Sequence, residues 1–413
     1  MKVTVVLSAI FVSSTAFTQA WIPQVSGTND ILYSVQFINE QTGWTVGANG
    51  VIRATTNGGA NWITQVSGTP VPFYEVFFTN STTGYICGGN GTMMKSTNGG
   101  ANWSFISSGT STTLFCLYFI NPLTGWVCGG NQTPRITTDG GINFTQQNPG
   151  AIGPMQWTIK FIDAQTGFLS ADNGGFIKTT NSGTNWVSYP TGITGTVWST
   201  HFTDAATGYV CGDNGAIKKT TNGGTNWTSQ TSGTGQLLHW TFFPTTGTGN
   251  IGYICGYGGT ILGTSNGGTN WISQTSGTAQ NLRSLHFPNP QTGWAVGDNG
   301  TILKTTTGGY TGIKKVNNEI PSEFQLYQNY PNPFNPSTKI HFEIPPLEGD
   351  RERMMILTIY NILGREIATL VNEHLKPGIY EIEWNASAYP SGAYFYRLQT
   401  EHFSEAKSMV LLK

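Results

Sequence analysis

Charge is scarce in this chain. Of 413 residues only 10% are Asp, Glu, Lys or Arg and the formal net charge is −1, where soluble domains usually carry about 25% charged residues. No basic field exists to attract nucleic acid. Beyond the N-terminus there is no apolar run of the ~20 residues needed to span a bilayer. Five cysteines and six histidines are dispersed, and no Cys/His spacing matches a metal site. No phosphate-binding loop stands out, so neither the composition nor the motifs call for a cofactor or a metal. What is abundant is glycine, 54 residues, in a chain that is still 12% aromatic. That combination excludes a disordered tail and a collagen-like fibre and points to an all-β chain with many tight turns.

The first twenty residues read separately. Met1-Lys2 precedes an apolar run from Val3 to Val12, and small and polar residues follow as far as Ala20. This is the pattern of a secretory signal peptide (residues 1–20), which places the mature start at Trp21.

Thr-Gly or Ile-Gly followed by an aromatic residue then recurs at Trp44, Tyr85, Trp126, Phe168, Tyr209, Tyr253 and Trp294, at intervals of 41, 41, 42, 41, 44 and 41 residues. A fixed period of this length, made of short strands, is the signature of β-propeller blades. The first copy predicts strands at Leu32 to Ile38, Trp44 to Gly47, Val51 to Thr56 and Asn61 to Val66. The turn at Ala48-Asn49-Gly50 supplies residues that accept positive φ. Cys87, Cys128, Cys211 and Cys255 occupy the position held by Val46 and Val296 in other copies. They are therefore expected as buried free thiols behaving as small hydrophobes, with Cys116 an unpaired fifth.

The third turn is more specific. Thr55-x-Asn57-x-Gly59-x-x-Trp62 returns as Ser96 to Trp103 and as Thr137 to Phe144, and again at Asn181 to Trp186, Asn222 to Trp227 and Asn266 to Trp271. It resembles the Asp-box (BNR repeat) of sialidase-like propellers, a structural motif whose short polar side chain caps turn amides. The seventh copy has no Asn-Trp strand after Thr305 to Gly309, whereas Trp21 to Thr28 matches Trp62 to Thr69. The N-terminal strand is thus expected to complete the last of seven blades and hide two sheet edges. Residues 21–312 as a whole resemble propellers related to photosystem II assembly factors.

Composition changes after residue 312. Residues 21–312 hold 9 basic and 9 acidic residues, and the much shorter 313–413 hold 10 and 12. We expect a linker over 313–322 and a small immunoglobulin-like β-sandwich over 323–413, with strands at Lys339 to Ile344, Met355 to Tyr360, Gly378 to Trp384, Gly392 to Gln399 and Lys407 to Leu412. Tyr327 to Thr338 (YQNYPNPFNPST), Tyr360 to Glu366 (YNILGRE) and Tyr389 to Tyr394 (YPSGAY) resemble the C-terminal sorting domain of the type IX secretion system. That resemblance implies an outer-membrane translocon as partner and a final location at the cell surface or outside the cell.

Catalytic signals are thin. A glycosidase needs two carboxylates about 5–10 Å apart. Asp172, Asp213 and Asp298 share one turn position, Asp163 and Asp204 another, and Asp139 is the Asp-box residue. Turn acids on separate blades are not expected to converge, which leaves Glu75 as the carboxylate placed near the central channel. The propeller region has three arginines, Arg53, Arg135 and Arg283, and Arg53 and Arg135 share one place on third strands, so a sialidase triad is not expected. One series exceeds the repeat's own needs: Tyr33, Tyr74, Phe115, Trp157, Trp198, His239 and Arg283 stand at the start of successive innermost strands. Either they fill gaps between blades, or they rim a mouth that stacks on sugar rings or a peptide. The reading is an exported, non-catalytic propeller that binds a glycan or protein ligand. A glycoside hydrolase and a purely structural surface component are the alternatives.

Overall fold

The computed structural model describes residues 20–412, apart from 132–133, 151–152, 245–249, 310–313, 318, 347–352 and 387–388. The expected signal peptide, save Ala20, lies outside the described residues. Seven four-stranded antiparallel sheets lie between residues 22 and 305, and two more follow from residue 314. In the first, Leu32–Phe37, Gly43–Gly47, Ile52–Thr55 and Ile63–Gln65 pair in chain order. The innermost strands of the others are Phe73–Phe78, Leu114–Phe119, Gln156–Phe161, Val197–Phe202, Leu238–Phe242 and Leu282–His286. Each packs beside the next, and Leu282–His286 packs beside Leu32–Phe37, so the order is cyclic and the architecture propeller-like.

The repeat residues hold neighbouring sheets together. The aromatic after each repeat glycine stacks flat on the phenylalanine at or just after the end of the next innermost strand. Trp44 meets Phe78 at 3.5 Å between ring centroids, Tyr85 meets Phe119 at 4.0 Å and Trp126 meets Phe161 at 3.5 Å. Phe168–Phe202, Tyr209–Phe243 and Tyr253–Phe287 continue the series. The Asp-box tryptophan then meets the same phenylalanine edge-on, as Trp62 does Phe37 at 5.8 Å. Such stacked and T-shaped pairs contribute beyond the area they bury. The repeat glycine exists for this packing. A Cβ at Gly43 would lie 2.6 Å from the Phe37 ring, and one at Gly84 2.4 Å from Phe78.

The Asp-box turn works as a side-chain cap. Thr55 Oγ1 accepts from Gly59 N at 2.9 Å, and Asn57 Oδ1 accepts from Asn61 N at 2.9 Å. In the seventh sheet Thr305 Oγ1 accepts from Gly309 N at 2.8 Å, but the box tryptophan comes from the other end of the chain. Ile22, Pro23 and Gln24 pair with Lys304, Leu303 and Ile302. Trp21 is fully buried, packs edge-on against Phe287 and donates its indole N–H to Gln274 Oε1 at 2.9 Å.

The last two sheets share one core, with Ile340, Phe342, Ile382 and Trp384 facing Met355, Leu357, Tyr396 and Met409. Asn329 is buried and donates to Thr338 Oγ1, while Tyr396 Oη accepts from Asn329 N and donates to Tyr327 O. Two expectations need correcting here. Lys314–Asn317 lies within the expected linker yet forms a strand paired with Gly378–Asn385, because its backbone completes an open edge of that sheet. Glu366–Leu375, absent from the expected strands, is a ten-residue strand. Its pairing with Arg353–Asn361 skips Ile367 and Leu370, so two bulges break the alternation that reveals a strand.

Candidate functional site

The seven residues at the start of the innermost strands share one backbone feature. Each falls at a register shift between first and second strands: Tyr33 between Leu32 and Ser34, Tyr74 between Phe73 and Glu75, Phe115 between Leu114 and Cys116. Trp157, Trp198, His239 and Arg283 sit at the equivalent shifts. A bulge re-aims the side chain of its extra residue. Here seven bulges turn seven side chains away from the core stripe, and all seven are half-buried.

They form one annulus. Ring centroids are 5.0 Å apart for Tyr33–Tyr74, 5.2 Å for Tyr74–Phe115, 4.7 Å for Phe115–Trp157, 4.2 Å for Trp157–Trp198 and 5.1 Å for Trp198–His239. His239 donates from Nδ1 to Arg283 O at 2.7 Å. The Arg283 guanidinium stacks 4.7 Å from the Tyr257 ring, and its strand packs beside that of Tyr33, which completes the circle. Burial and then Arg283 hold His239 down at about 4, so its ring is neutral at pH 7.

Three carboxylates enter the same annulus, contrary to the expectation that turn acids stay apart. Asp172 Oδ1 accepts from Trp157 Nε1 at 2.7 Å, and Asp213 Oδ1 accepts from Trp198 Nε1 at 2.7 Å. Asp298 takes Arg283 with both oxygens, at 2.8 and 3.1 Å. Asp172 and Asp213 are further joined through Thr196, whose hydroxyl donates to Asp172 Oδ1 at 3.3 Å and whose N–H donates to Asp213 Oδ2 at 2.9 Å. The reason is geometric. The second-to-third turns and the fourth-to-first connections open on the face where the bulges lie, and each acid stands fifteen residues after its donor. Where the bulge residue is Tyr33, Tyr74 or Phe115, the position fifteen later is Ala48, Gly89 or Gly130. The annulus is therefore two-sided: one arc is bare aromatic surface, the other has indoles and a guanidinium held by carboxylates. Charge-assisted bonds of this kind fix side-chain orientation.

A second layer lies three residues further along each strand. Phe77 meets Tyr118 at 5.3 Å, and Phe242 meets His201 at 5.3 Å and His286 at 4.7 Å. The Lys160 ammonium stands 5.0 Å from the Tyr118 ring and 5.5 Å from that of Trp240. Those rings belong to the third and sixth sheets, so Lys160 of the fourth reaches across the ring's interior. Burial, then Lys160, pushes His201 down to about 3, and the same two causes push His286 down to about 3. Glu75, expected near the central channel, is buried in an innermost strand opposite Cys87, and burial raises its carboxyl well above the ordinary range.

Arg53 is occupied by Gly27 O and Thr64 Oγ1, on the outer strands. All five cysteines are free and buried, yet Cys116 is not isolated, because it stands directly opposite Cys128 in the paired first and second strands. Among the described residues no His, Cys, Asp and Glu cluster has the make-up of a metal site, and no helix is long and apolar enough to cross a membrane.

Comparison with known proteins agrees with this geometry. Residues 13–110 and 178–278 match the family model described as photosynthesis system II assembly factor YCF48, and residues 328–412 match that of the secretion system C-terminal sorting domain. The chain carries a YCF48-like propeller and a C-terminal sorting domain. No curated protein matches it. A solved structure of YCF48 bound to D1 peptide is 20% identical, with TM-score 0.60 over 70% of this chain and 97% of that one. YCF48 from Cyanidioschyzon merolae is 19% identical, with TM-score 0.59 over 69% and 98%. The WD40 β-propeller domain of Doa1 is 13% identical, with TM-score 0.58 over 68% and 96%. At such identities the likeness is one of fold. The sorting domain implies export of the YCF48-like propeller to the cell surface or beyond.

Proposed function

We propose that residues 21–312 are a seven-bladed propeller closed by its N-terminal strand, and that residues 314–413 are an immunoglobulin-like sandwich read by the type IX translocon. The exported protein binds a glycan or an extended peptide at the annulus without catalysing its turnover. The observation that carries this reading is the annulus itself. Seven bulges aim five aromatic rings, His239 and Arg283 at one opening, and three acids fix Trp157, Trp198 and Arg283. Flat rings held in place offer contact area at low entropic cost. The D1 peptide bound by the related YCF48 supports a polypeptide as one class of ligand.

A hydrolase is the second reading, favoured by Asp172 and Asp213 both bonding Thr196. Against it, each carboxylate already accepts an indole N–H, an arrangement suited to positioning a ring rather than moving a proton. The test is a glycan and peptide array probed with the mature chain, with product analysis of every hit. Retained binding with intact ligand is the expected result. Cleaved product lost on Asp172→Asn would replace binding with hydrolysis.

A further inference from the structure

We propose that Cys116 and Cys128 form a cross-strand disulfide in the exported protein, leaving Cys87, Cys211 and Cys255 as free thiols. The first observation is register. The residue after each bulge faces one residue of the second strand, and in the seven sheets these pairs are Ser34–Val46, Glu75–Cys87, Cys116–Cys128, Thr158–Ser170, Ser199–Cys211, Trp240–Cys255 and Ser284–Val296. Only the third sheet opposes cysteine to cysteine. Directly opposed antiparallel residues have Cα atoms about 4.5 or 5.5 Å apart, within the range a disulfide spans.

The second observation is placement. Both thiols are wholly buried and point at the same neighbouring strand, Cys116 Sγ donating to Ile159 O at 3.8 Å and Cys128 Sγ to Gln156 O at 3.7 Å. The Cys128 thiol, opposed by burial and helped by Lys160, draws Cys116 down to about 7, while burial raises Cys128. Their complete burial places oxidation before the sheet is covered by its neighbours, during folding after export from the reducing cytosol.

The oxidant is a disulfide-bearing thiol carrier of the oxidising compartment. One of the two thiolates attacks its disulfide and forms a mixed disulfide, releasing one carrier thiol. The opposing cysteine then attacks the protein sulfur of that mixed disulfide and releases the second. Two S–H bonds are lost and one S–S bond forms, while two electrons and two protons pass to the carrier.

The test uses the full chain, once refolded in a glutathione redox buffer and once recovered from outside the producing cell. Each sample is denatured, alkylated with a maleimide and mapped without reduction. The expected result is a peptide joining Cys116 to Cys128 and three labelled cysteines. Five labelled cysteines, or Cys87 joined to either partner, would overturn the pairing. Cys128→Val places the residue that the first and seventh sheets carry at this position, so it folds, and four cysteines should then label. The inference uses the export reading, and the two samples separate them. A linked refolded chain with no chain outside the cell would reject export and leave the pairing standing.

Discussion

Trp294 lies flat on Phe37, with ring centroids 3.4 Å apart and planes 7° from parallel. This stack joins the seventh sheet to the first, and it is the same contact that joins each other sheet to its successor. Ring closure is therefore made twice over, by aromatic stacking at the inner strands and by the N-terminal strand at the outside. The two differ in how exposed they are to failure, because the outer closure rests on three residue pairs and one tryptophan.

Trp21→Ala should accordingly cost about 3–5 kcal/mol, the usual range for deleting a buried tryptophan, with the Gln274 amide left without its indole. Val25→Ala, at a position 87% exposed, should leave the melting temperature unchanged. Thermal denaturation of both variants decides it: equal melting temperatures would mean that the strand is not needed for closure.

At the annulus, Trp157→Ala and Trp198→Ala should each weaken ligand binding by about 1–3 kcal/mol if the rings stack on ligand. Asp172→Leu should have part of the same effect through Trp157, whose indole would lose its acceptor, while Asp172→Asn keeps a carbonyl oxygen there and should bind nearly as tightly. Titration calorimetry on the folded variants separates the two substitutions. Asn and Leu behaving alike would remove the positioning role.

Much of this arrangement was legible in the chain. The match of Trp21–Thr28 to Trp62–Thr69 pointed to the closure, since a missing strand at one end and a surplus one at the other leave few alternatives. The seven annulus residues stood out as a series because packing alone does not require Trp157, His239 and Arg283 at one repeat position. Their acid partners did not stand out, because an Asp before Asn-Gly is what any tight turn favours. The signal lay in the pairing across fifteen residues, acid with Trp157, Trp198 and Arg283 but Ala48, Gly89 and Gly130 with Tyr33, Tyr74 and Phe115. The bulges that aim the side chains have no compositional mark at all, and those at Ile367 and Leu370 hid a whole strand.

Ending the chain at residue 312 removes every strand of the last two sheets, Lys314–Asn317 included. The YCF48-like propeller should fold without them, since its core clusters draw on residues before 310. It should accumulate in the periplasm, with its circular dichroism spectrum intact. Fractionation of producing cells measures this, and normal levels of the truncated protein in the medium would contradict a sorting role for the C-terminal unit.

The histidines of the second layer make stability depend on acid. His201 and His286 are held at about 3 in the folded chain, against an ordinary value of 6.5. Between those values the unfolded chain binds protons that the folded chain does not, so stability is complete above pH 6.5 and falls as the pH drops toward 3. Glu75 acts in the opposite sense. Its folded value is raised above 4.5, so it opposes folding increasingly as the pH rises through that window. Two histidines against one carboxyl set the net direction, and His239, at about 4, adds to it. The melting temperature should therefore fall steadily from pH 7 to pH 4. His286→Gln should flatten that slope, and Glu75→Gln should raise the melting temperature at pH 8 while leaving it unchanged at pH 4. A melting temperature independent of pH from 7 to 4 in the unsubstituted protein would show that these rings are reached by protons without unfolding.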